Sequence, residues 1–571
     1  MHQTNQPAAA VHPLGSQARV LLTSVFGPYA QDDEYGSRTV NPMELYHNQV
    51  TREQGVFSLR MFHRSWGLML IQQNVDAPCT ILDFPTQDRF IEELKTNDYD
   101  VVGIGSIIPN VDKVTRMCQL VRRYQPNATI VVGGHVANMP DLSQRIDADH
   151  IVRGEGVRWM RHFLADDVTR PIRHPHILSS VGTRNMGIAL KDKPGDVAAT
   201  LIPSVGCPVG CNFCATSAMF GGKGKFVNFY ETGDELFEVM CELETALQVR
   251  SFFVMDENFL LHRKRALRLL DLMAQHGKSW ALYVFSSATM LRKYTIEQLV
   301  GLGISWVWMG IEGENAGYAK LKGTDTRALV RSFQEHGIKV LGSTIIGLEN
   351  HTPDNIDEAI DFAVSHDTEF HQFMLYTAVP GTPLYTELKG KGTLTDPGER
   401  EVADAHGQSW FNHRHRNIPA GEETAFLRRA FRMDFEINGP SVLRVTRTLL
   451  QGWRKYKDHP DLRIRERFRW EARDVAVRMA GVVWATKKWF RSNPDLKRKA
   501  TEMLREIHRE FGLRSRLAAP LVGRYINRVA KREARRLQRG LTYEPPTFYE
   551  INPVALLATA GQQGRRGPDG N

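Results

Sequence analysis

No stretch of the 571-residue chain approaches the roughly 20 consecutive apolar residues that a membrane-spanning helix requires. The opening residues, Met1 to Ala10, hold no basic cluster followed by an apolar one, so no secretory leader is legible. Cysteine is scarce. Six residues in this length do not make the disulfide framework of a secreted scaffold, and a reducing, cytoplasmic setting is expected. Three of the six, Cys79, Cys118 and Cys241, stand alone and read as small buried hydrophobes. Acidic residues are thin in one region only. Residues 451–540 carry 26 Lys/Arg against 10 Asp/Glu, a surplus of +16, while the whole chain sums to +9 and the remainder therefore to −7. No nucleic-acid-binding motif accompanies this basic region, which argues against nucleic acid as the partner.

What is present is the composition of a globular protein, 42% hydrophobic and 24% charged, long enough for about two to four domains. The remaining cysteines, Cys207, Cys211 and Cys214, form a CxxxCxxC run with Phe213 directly before the last. Three thiolates on one short loop suit a cubane [4Fe–4S] cluster, each holding one iron. With no fourth cysteine nearby, the fourth iron is left open for an outside ligand. The competing chemistry is zinc, which takes four tetrahedral ligands, usually as two CxxC pairs.

Residues 19–168 alternate short apolar runs with helical spacing. Arg19–Phe26, Cys79–Phe84, Asp100–Ser106, Thr129–Gly134 and His150–Gly156 read as strands. A long polar insertion follows the first, and helices are expected near Trp66–Gln73, at Gln87–Thr96 and up to Arg123. This pattern specifies a doubly wound parallel sheet, whose ligands sit beyond the carboxyl ends of the strands. Those ends carry Ser106, Gly133, Gly134, Gly154 and Glu155, mostly small residues that let a large flat ligand approach the backbone. Residues 169–195, rich in Pro, His and Gly, read as a linker. Residues 196–395 resume the alternation with six strands, a partial (β/α) barrel with its chemistry at the carboxyl strand ends. Asp256, Glu257 and Asn258, then Ser286 and Ser287, Glu312, Gly347 and Tyr376 occupy those ends.

The CxxxCxxC loop followed by these polar strand ends resembles the radical S-adenosylmethionine (radical SAM) superfamily. The Ser106-Ile-Ile run and the Gly133-Gly134 pair resemble two of three marks of the cobalamin-binding domain that precedes many radical SAM cores. The third, DxHxxG after the first strand, is absent: the chain reads Phe26-Gly-Pro-Tyr, so no histidine from that loop would ligate cobalt. The resemblance covers about residues 19–391. It implies a [4Fe–4S] cluster on Cys207, Cys211 and Cys214, and SAM held by Asp256, Glu257, Ser286, Glu312 and the Gly347 strand. Cobalamin would lie against Ser106, Gly133, Gly134, Gly154 and Glu155, with Tyr376 the candidate catalytic residue. A reductant such as flavodoxin or ferredoxin is implied as partner. The leading reaction is methylation of an unactivated carbon of a lipid- or pigment-like substrate. Anaerobic cyclisation or oxidative rearrangement is the alternative within the family, and a non-catalytic cobalamin or redox sensor the alternative of another class.

Residues 396–545 read as a basic helical domain in which Trp453, Trp470, Trp484 and Trp489 are interleaved with Arg and Lys. Such helices suit an anionic membrane surface, where tryptophan sits at headgroup level. They also suit a solvated lid. Residues 546–571, Gly/Gln/Arg-rich from Gly561, read as a disordered tail.

Overall fold

The structure, a computed structural model, describes residues 10–27, 33–37, 43–190, 195–312, 325–395, 402–541 and 543–552. Strands β1 (Val20–Thr23), β2 (Cys79–Asp83), β3 (Val101–Gly105), β4 (Thr129–Gly133) and β5 (His150–Ile151) form a parallel sheet in the order β2-β1-β3-β4-β5. Both faces are covered, which is why the strands read as unbroken apolar runs. Leu21, Leu82, Val102, Ile104, Ile130 and Val132 face helices Gln87–Thr96 and Val111–Tyr124. Val20, Leu22, Ile81, Val101 and Val131 face helices Trp66–Gln72 and Gly156–Phe163. The order reverses between β1 and β3, so the binding crevice of this fold opens above Ser24, Gly105 and Ser106.

The second sheet runs β6 (Ala199–Leu201), β7 (Ser251–Val254), β8 (Ala281–Phe285), β9 (Ile304–Gly310), β10 (Lys339–Ile346) and β11 (Phe370–Leu375), all parallel and adjacent in sequence order. It is the expected half-barrel. Phe252, Val254, Leu282, Val284, Val307 and Met309 point outward into the helices around it. The alternate residues Phe253, Tyr283, Phe285, Trp306 and Trp308 point to the concave side.

Two expectations change. The stretch 169–195 is not a bare linker: Val181–Asn185 and Ile188–Ala189 form a hairpin that pairs antiparallel with Arg60–Phe62, inside the polar insertion after β1. This three-stranded ribbon lies across the concave side of the half-barrel. The tail is also ordered in part. β12 (Phe548–Ile551) adds antiparallel to the free edge of β2, and the Asn552 side chain accepts from the Cys79 N–H at 3.1 Å and donates to the Ala77 carbonyl at 3.0 Å. Residues 553–571 lie outside the described residues.

The basic region is helical, as expected, in Glu423–Asn438, Ser441–Tyr456, Leu462–Glu471, Ala480–Trp489 and Pro494–Gln538, the last broken at Gly512 where φ is 58°. Part of its positive charge is buried structure. Arg444 grips Asp434 with two bonds of 2.9 and 2.8 Å and also donates to the Thr368 carbonyl. Arg467 donates to the Val300 carbonyl at 2.9 Å, Arg463 to that of Gly301, and Glu471 pairs with Lys339 of β10 at 2.7 Å. The tryptophans do not form a surface belt. Trp453 donates to Glu510 and stacks on Phe511, Trp484 fills a notch over Gly523, and Trp489 meets Phe57 edge-on at 6.0 Å. Trp470 is half-buried under the Arg473 guanidinium. Packing within the domain and against its neighbours claims Trp453, Trp484 and Trp489. No helix among the described residues is long and apolar enough to cross a membrane.

Candidate active site

The cysteine loop leaves a two-stranded ribbon, Ser204–Val205 paired with Val227–Asn228, at the carboxyl end of β6. Gly206 (φ 86°) and Gly210 (φ 72°) make its turns. A Cβ on Gly206 would lie 2.7 Å from Phe220 Cβ, and one on Gly210 would lie 2.7 Å from Lys223 Cα, so only glycine fits at either place. Cys207, Cys211 and Cys214 are half-buried and free of disulfides. Cys214 starts the short helix Ala215–Met219, its Sγ accepting from the Ser217 N–H at 3.5 Å, while the Ser217 hydroxyl donates to the Cys207 carbonyl at 2.9 Å. Burial pushes the Cys207 thiol up to about 11, and Cys214, Glu257 and Cys211 add acidic neighbours. Iron offsets such crowded negative charge.

The strand-end residues divide into those held by protein and those left toward a ligand. Asp256 is 3% exposed. Its Oδ2 accepts from Arg265 at 2.5 Å and Ser204 at 2.8 Å, and its Oδ1 from the Asn258 N–H at 3.1 Å. Breaking such a buried pair costs on the order of 3–5 kcal/mol, so this carboxylate fastens the end of β7 to Ser204 at the base of the cysteine loop. Ser286 is engaged likewise, donating to Asn258 Oδ1 at 3.0 Å and joining the ends of β7 and β8. Glu312 is buried at the end of β9 with φ 52°, a left-handed backbone for a non-glycine residue, its N–H on the Ser343 carbonyl at 3.2 Å. Gly347 (φ 81°) is covered by Phe411, whose Cζ would lie 2.2 Å from a Cβ there. Tyr376 is buried and its hydroxyl accepts from Asn212 Nδ2 at 3.2 Å, inside the cysteine loop. The Asn212 carbonyl in turn accepts from the Leu384 N–H at 3.1 Å.

One cavity of about 570 Å³ brings the two sheets' carboxyl ends together. Ser106, Gly133, Gly134, Gly154 and Glu155 line it from the first sheet, and Val205, Thr216, Phe220, Met255 and Glu257 from the second. Gly134 (φ 81°) is obligatory: a Cβ would lie 2.6 Å from the Ser106 carbonyl oxygen. Glu155 is occupied as the cap of Gly156–Phe163, accepting from the Arg158 N–H at 3.1 Å. Glu257 is the strand-end acid that reaches this lining, and burial, with Asp256 beside it, raises its carboxyl to about 7. Trp66 Nε1, Asn110 Oδ1 and Glu257 Oε2, all on lining residues, are buried polar atoms without a hydrogen-bond partner. A bound cofactor bearing amide and amine groups would supply those partners. Sequence reading missed Trp66, Asn110 and His135. His135 follows the Gly-Gly pair directly and could have been found there. Trp66 and Asn110 come from elements whose approach is visible only in three dimensions. Of the Phe26-Gly-Pro-Tyr loop, Pro28 and Tyr29 lie outside the described residues.

Residues 59–164 match the B12-binding domain family and residues 201–363 the radical SAM superfamily. The chain carries a B12-binding domain followed by a radical SAM domain. Its cofactors are a [4Fe–4S] cluster, SAM and cobalamin, and the cysteine loop, the Gly134 notch and the unpartnered polar atoms fit them. It is 26% identical to a bacteriochlorophyllide d C-12(1)-methyltransferase of Chlorobaculum tepidum over 55% of this chain and 70% of that protein. It is 24% identical to a hopanoid C-2 methylase of Rhodopseudomonas palustris over 59% and 64%, and 23% identical to an anaerobic magnesium-protoporphyrin IX monomethyl ester cyclase of Rubrivivax gelatinosus over 54% and 62%. A solved structure of the radical SAM methyltransferase TsrM from Kitasatospora setae, with cobalamin and a [4Fe-4S] cluster bound, aligns over 80% of this chain and 99% of its own with a TM-score of 0.49 and 16% identity.

Two outcomes are expected. Cys211→Ala loses the cluster and SAM cleavage, measured by iron analysis and 5′-deoxyadenosine formation after anaerobic reconstitution; four irons retained by a triple cysteine-to-alanine variant would contradict the ligand assignment. Gly134→Trp abolishes cobalamin uptake, read from the visible spectrum, while iron content stays at the wild-type level.

Proposed function

We propose that the protein methylates an unactivated carbon of a hydrophobic, lipid- or pigment-like molecule in the cavity between the two sheets. The observation that carries this reading is the single space lined by both sets of strand ends, which brings the B12-binding half and the cysteine loop to one substrate. With its cofactors bound, the site has radical generation from SAM and methyl donation from cobalamin at its disposal. The chain's own residues divide the remaining work. Cys207, Cys211 and Cys214 hold the cluster, and Ser106, Gly133, Gly134 and Gly154 give the corrin a close backbone surface. Glu257, not Asp256, accepts a hydrogen bond from the amino group of SAM. Asp256, through Arg265 and Ser204, and Tyr376, through Asn212, position the loop; neither touches the reacting atoms. Val205, Phe220 and Met255 exclude water. The electron comes from a small reductant such as flavodoxin or ferredoxin.

The relatives named above include both methyltransferases and a cyclase, and the test separates them. Reduced, cobalamin-loaded enzyme is incubated anaerobically with lipid and pigment extracts and SAM bearing a trideuterated methyl group. A labelled extractable product with S-adenosylhomocysteine is expected. Formation of 5′-deoxyadenosine with no S-adenosylhomocysteine would move the cyclase ahead, and no SAM cleavage at all would leave the sensor.

The membrane contact falls on a different face from the tryptophans. Leu513, Leu517, Leu521 and Tyr525, spaced four apart beyond Gly512, are 74%, 68%, 66% and 62% exposed. Arg514, Arg516, Arg524, Arg528, Lys531 and Arg532 are exposed around them, and residues 511–532 contain no Asp or Glu. An apolar stripe flanked by one sign of charge fits an anionic lipid surface, to which each cation adds on the order of 1 kcal/mol. Leu517→Glu with Leu521→Glu should lower co-sedimentation with anionic vesicles by about tenfold or more. Equal, negligible binding of the unaltered protein to anionic and neutral vesicles would refute the contact.

A further inference from the structure

A second cavity, of about 530 Å³, fills the amino-terminal half of the half-barrel's concave side. That part of a (β/α) fold is ordinarily packed solid with side chains, and protein interiors do not leave such space unfilled by default. Its walls are aromatic and aliphatic. Phe285 stacks on Trp308 with ring centres 4.9 Å apart, and Trp306 on Phe370 at 5.3 Å. Across from them, Val442, Val445 and Leu449 lie at helical i, i+3, i+7 spacing on Ser441–Tyr456, with Val475, Met479 and Val482 beside them. The ribbon adds Leu59, Met61 and Ile188.

Among the described residues, charged groups on this lining are few and already paired. Arg478 bonds Asp474, and Glu471 is held by Lys339 and Arg467. Asp196 and Asp474 are part-exposed, so they mark a polar mouth. Toward the cofactor cavity the chamber ends at a thin aromatic partition. His63 lines both cavities, lies parallel to Phe253 at 5.6 Å and meets Trp66 at 4.9 Å. Its Nδ1–H donates to the Ser179 carbonyl at 2.5 Å.

We infer that this chamber holds the uncharged, polycyclic hydrocarbon body of the substrate, with the end nearest His63 presented to the cofactor cavity. The inference rests on the reading that the substrate is hydrophobic, and narrows it. Stacked aromatic walls favour a rigid carbon skeleton. Among the described residues the lining carries three carboxylates, Asp196, Glu471 and Asp474, and its arginine, Arg478, is paired with Asp474; this balance disfavours a carboxylate-bearing pigment and leaves room for a neutral hydroxyl at the mouth.

The test uses dehydroergosterol, a neutral fluorescent polycyclic alcohol, with the reconstituted, cobalamin-loaded enzyme. Saturable binding by equilibrium dialysis is expected, with energy transfer to the sterol that falls in a Trp306→Phe variant. Val445→Phe and, separately, Val442→Phe fill the chamber and should weaken binding about tenfold or more, iron and cobalamin content reporting that each is folded. The dicarboxylate protoporphyrin IX should not compete. The inference is overturned if dehydroergosterol does not bind saturably, if neither filling variant changes its affinity, or if protoporphyrin IX displaces it. Labelled methyl transfer without sterol binding would reject the chamber and spare the reaction. Sterol binding without methyl transfer would do the reverse.

Discussion

Everything in this molecule depends on how closely two parallel sheets bring their carboxyl ends together. Each sheet alone offers a row of strand ends with open backbone groups, a binding edge with water on its far side. Facing each other, they enclose one space. The approach depends on a missing side chain: Gly381, in the turn after β11, packs where a Cβ would lie 2.5 Å from the Asn138 carbonyl oxygen. The short helix begun by Cys214 lies in the same seam, its Thr216 and Met219 sharing a lining with Gly133 and Gly134. A side chain at Gly381 would part the two halves locally, and one at Gly134 would push against Ser106 in the floor of the shared cavity.

The loop is rigid because its neighbours are engaged inward. Asp256 joins Ser204, at the base of the loop, to Arg265; Asn258 ties the end of β7 to Ser286 at the end of β8; and Tyr376 holds Asn212 inside the loop. Of the adjacent acids Asp256 and Glu257, it is Glu257 that lines the cavity.

Both sheets were legible because their strands are continuous apolar runs separated by helices of ordinary length. The cysteine loop was legible because its spacing has few other uses. The ribbon across the half-barrel was not: Arg60–Phe62 and Ile188–Ala189 are too short to show a period, and Arg60–Phe62 pairs with Val181–Asn185, more than a hundred positions away. The tryptophans misled for a related reason. A basic helix with aromatic residues has one composition whether its rings face lipid or protein, and only the tertiary contacts of Trp453, Trp484 and Trp489 distinguish the two. The positive surplus is likewise two populations, buried arginines that fasten the helices to the half-barrel and an outer face beyond Gly512.

The pairing of β12 with β2 has a consequence for how the protein is made. β2 leaves the ribosome early, and its partner, hundreds of residues later, follows by roughly tens of seconds at ordinary rates of synthesis. Through that interval the nascent sheet carries an unpaired edge able to recruit strands from other chains. This sheet is thus closed only after the half-barrel and the basic helices have been made, and a chaperone that shields β2 during translation would matter more to the yield of this protein than one acting after release.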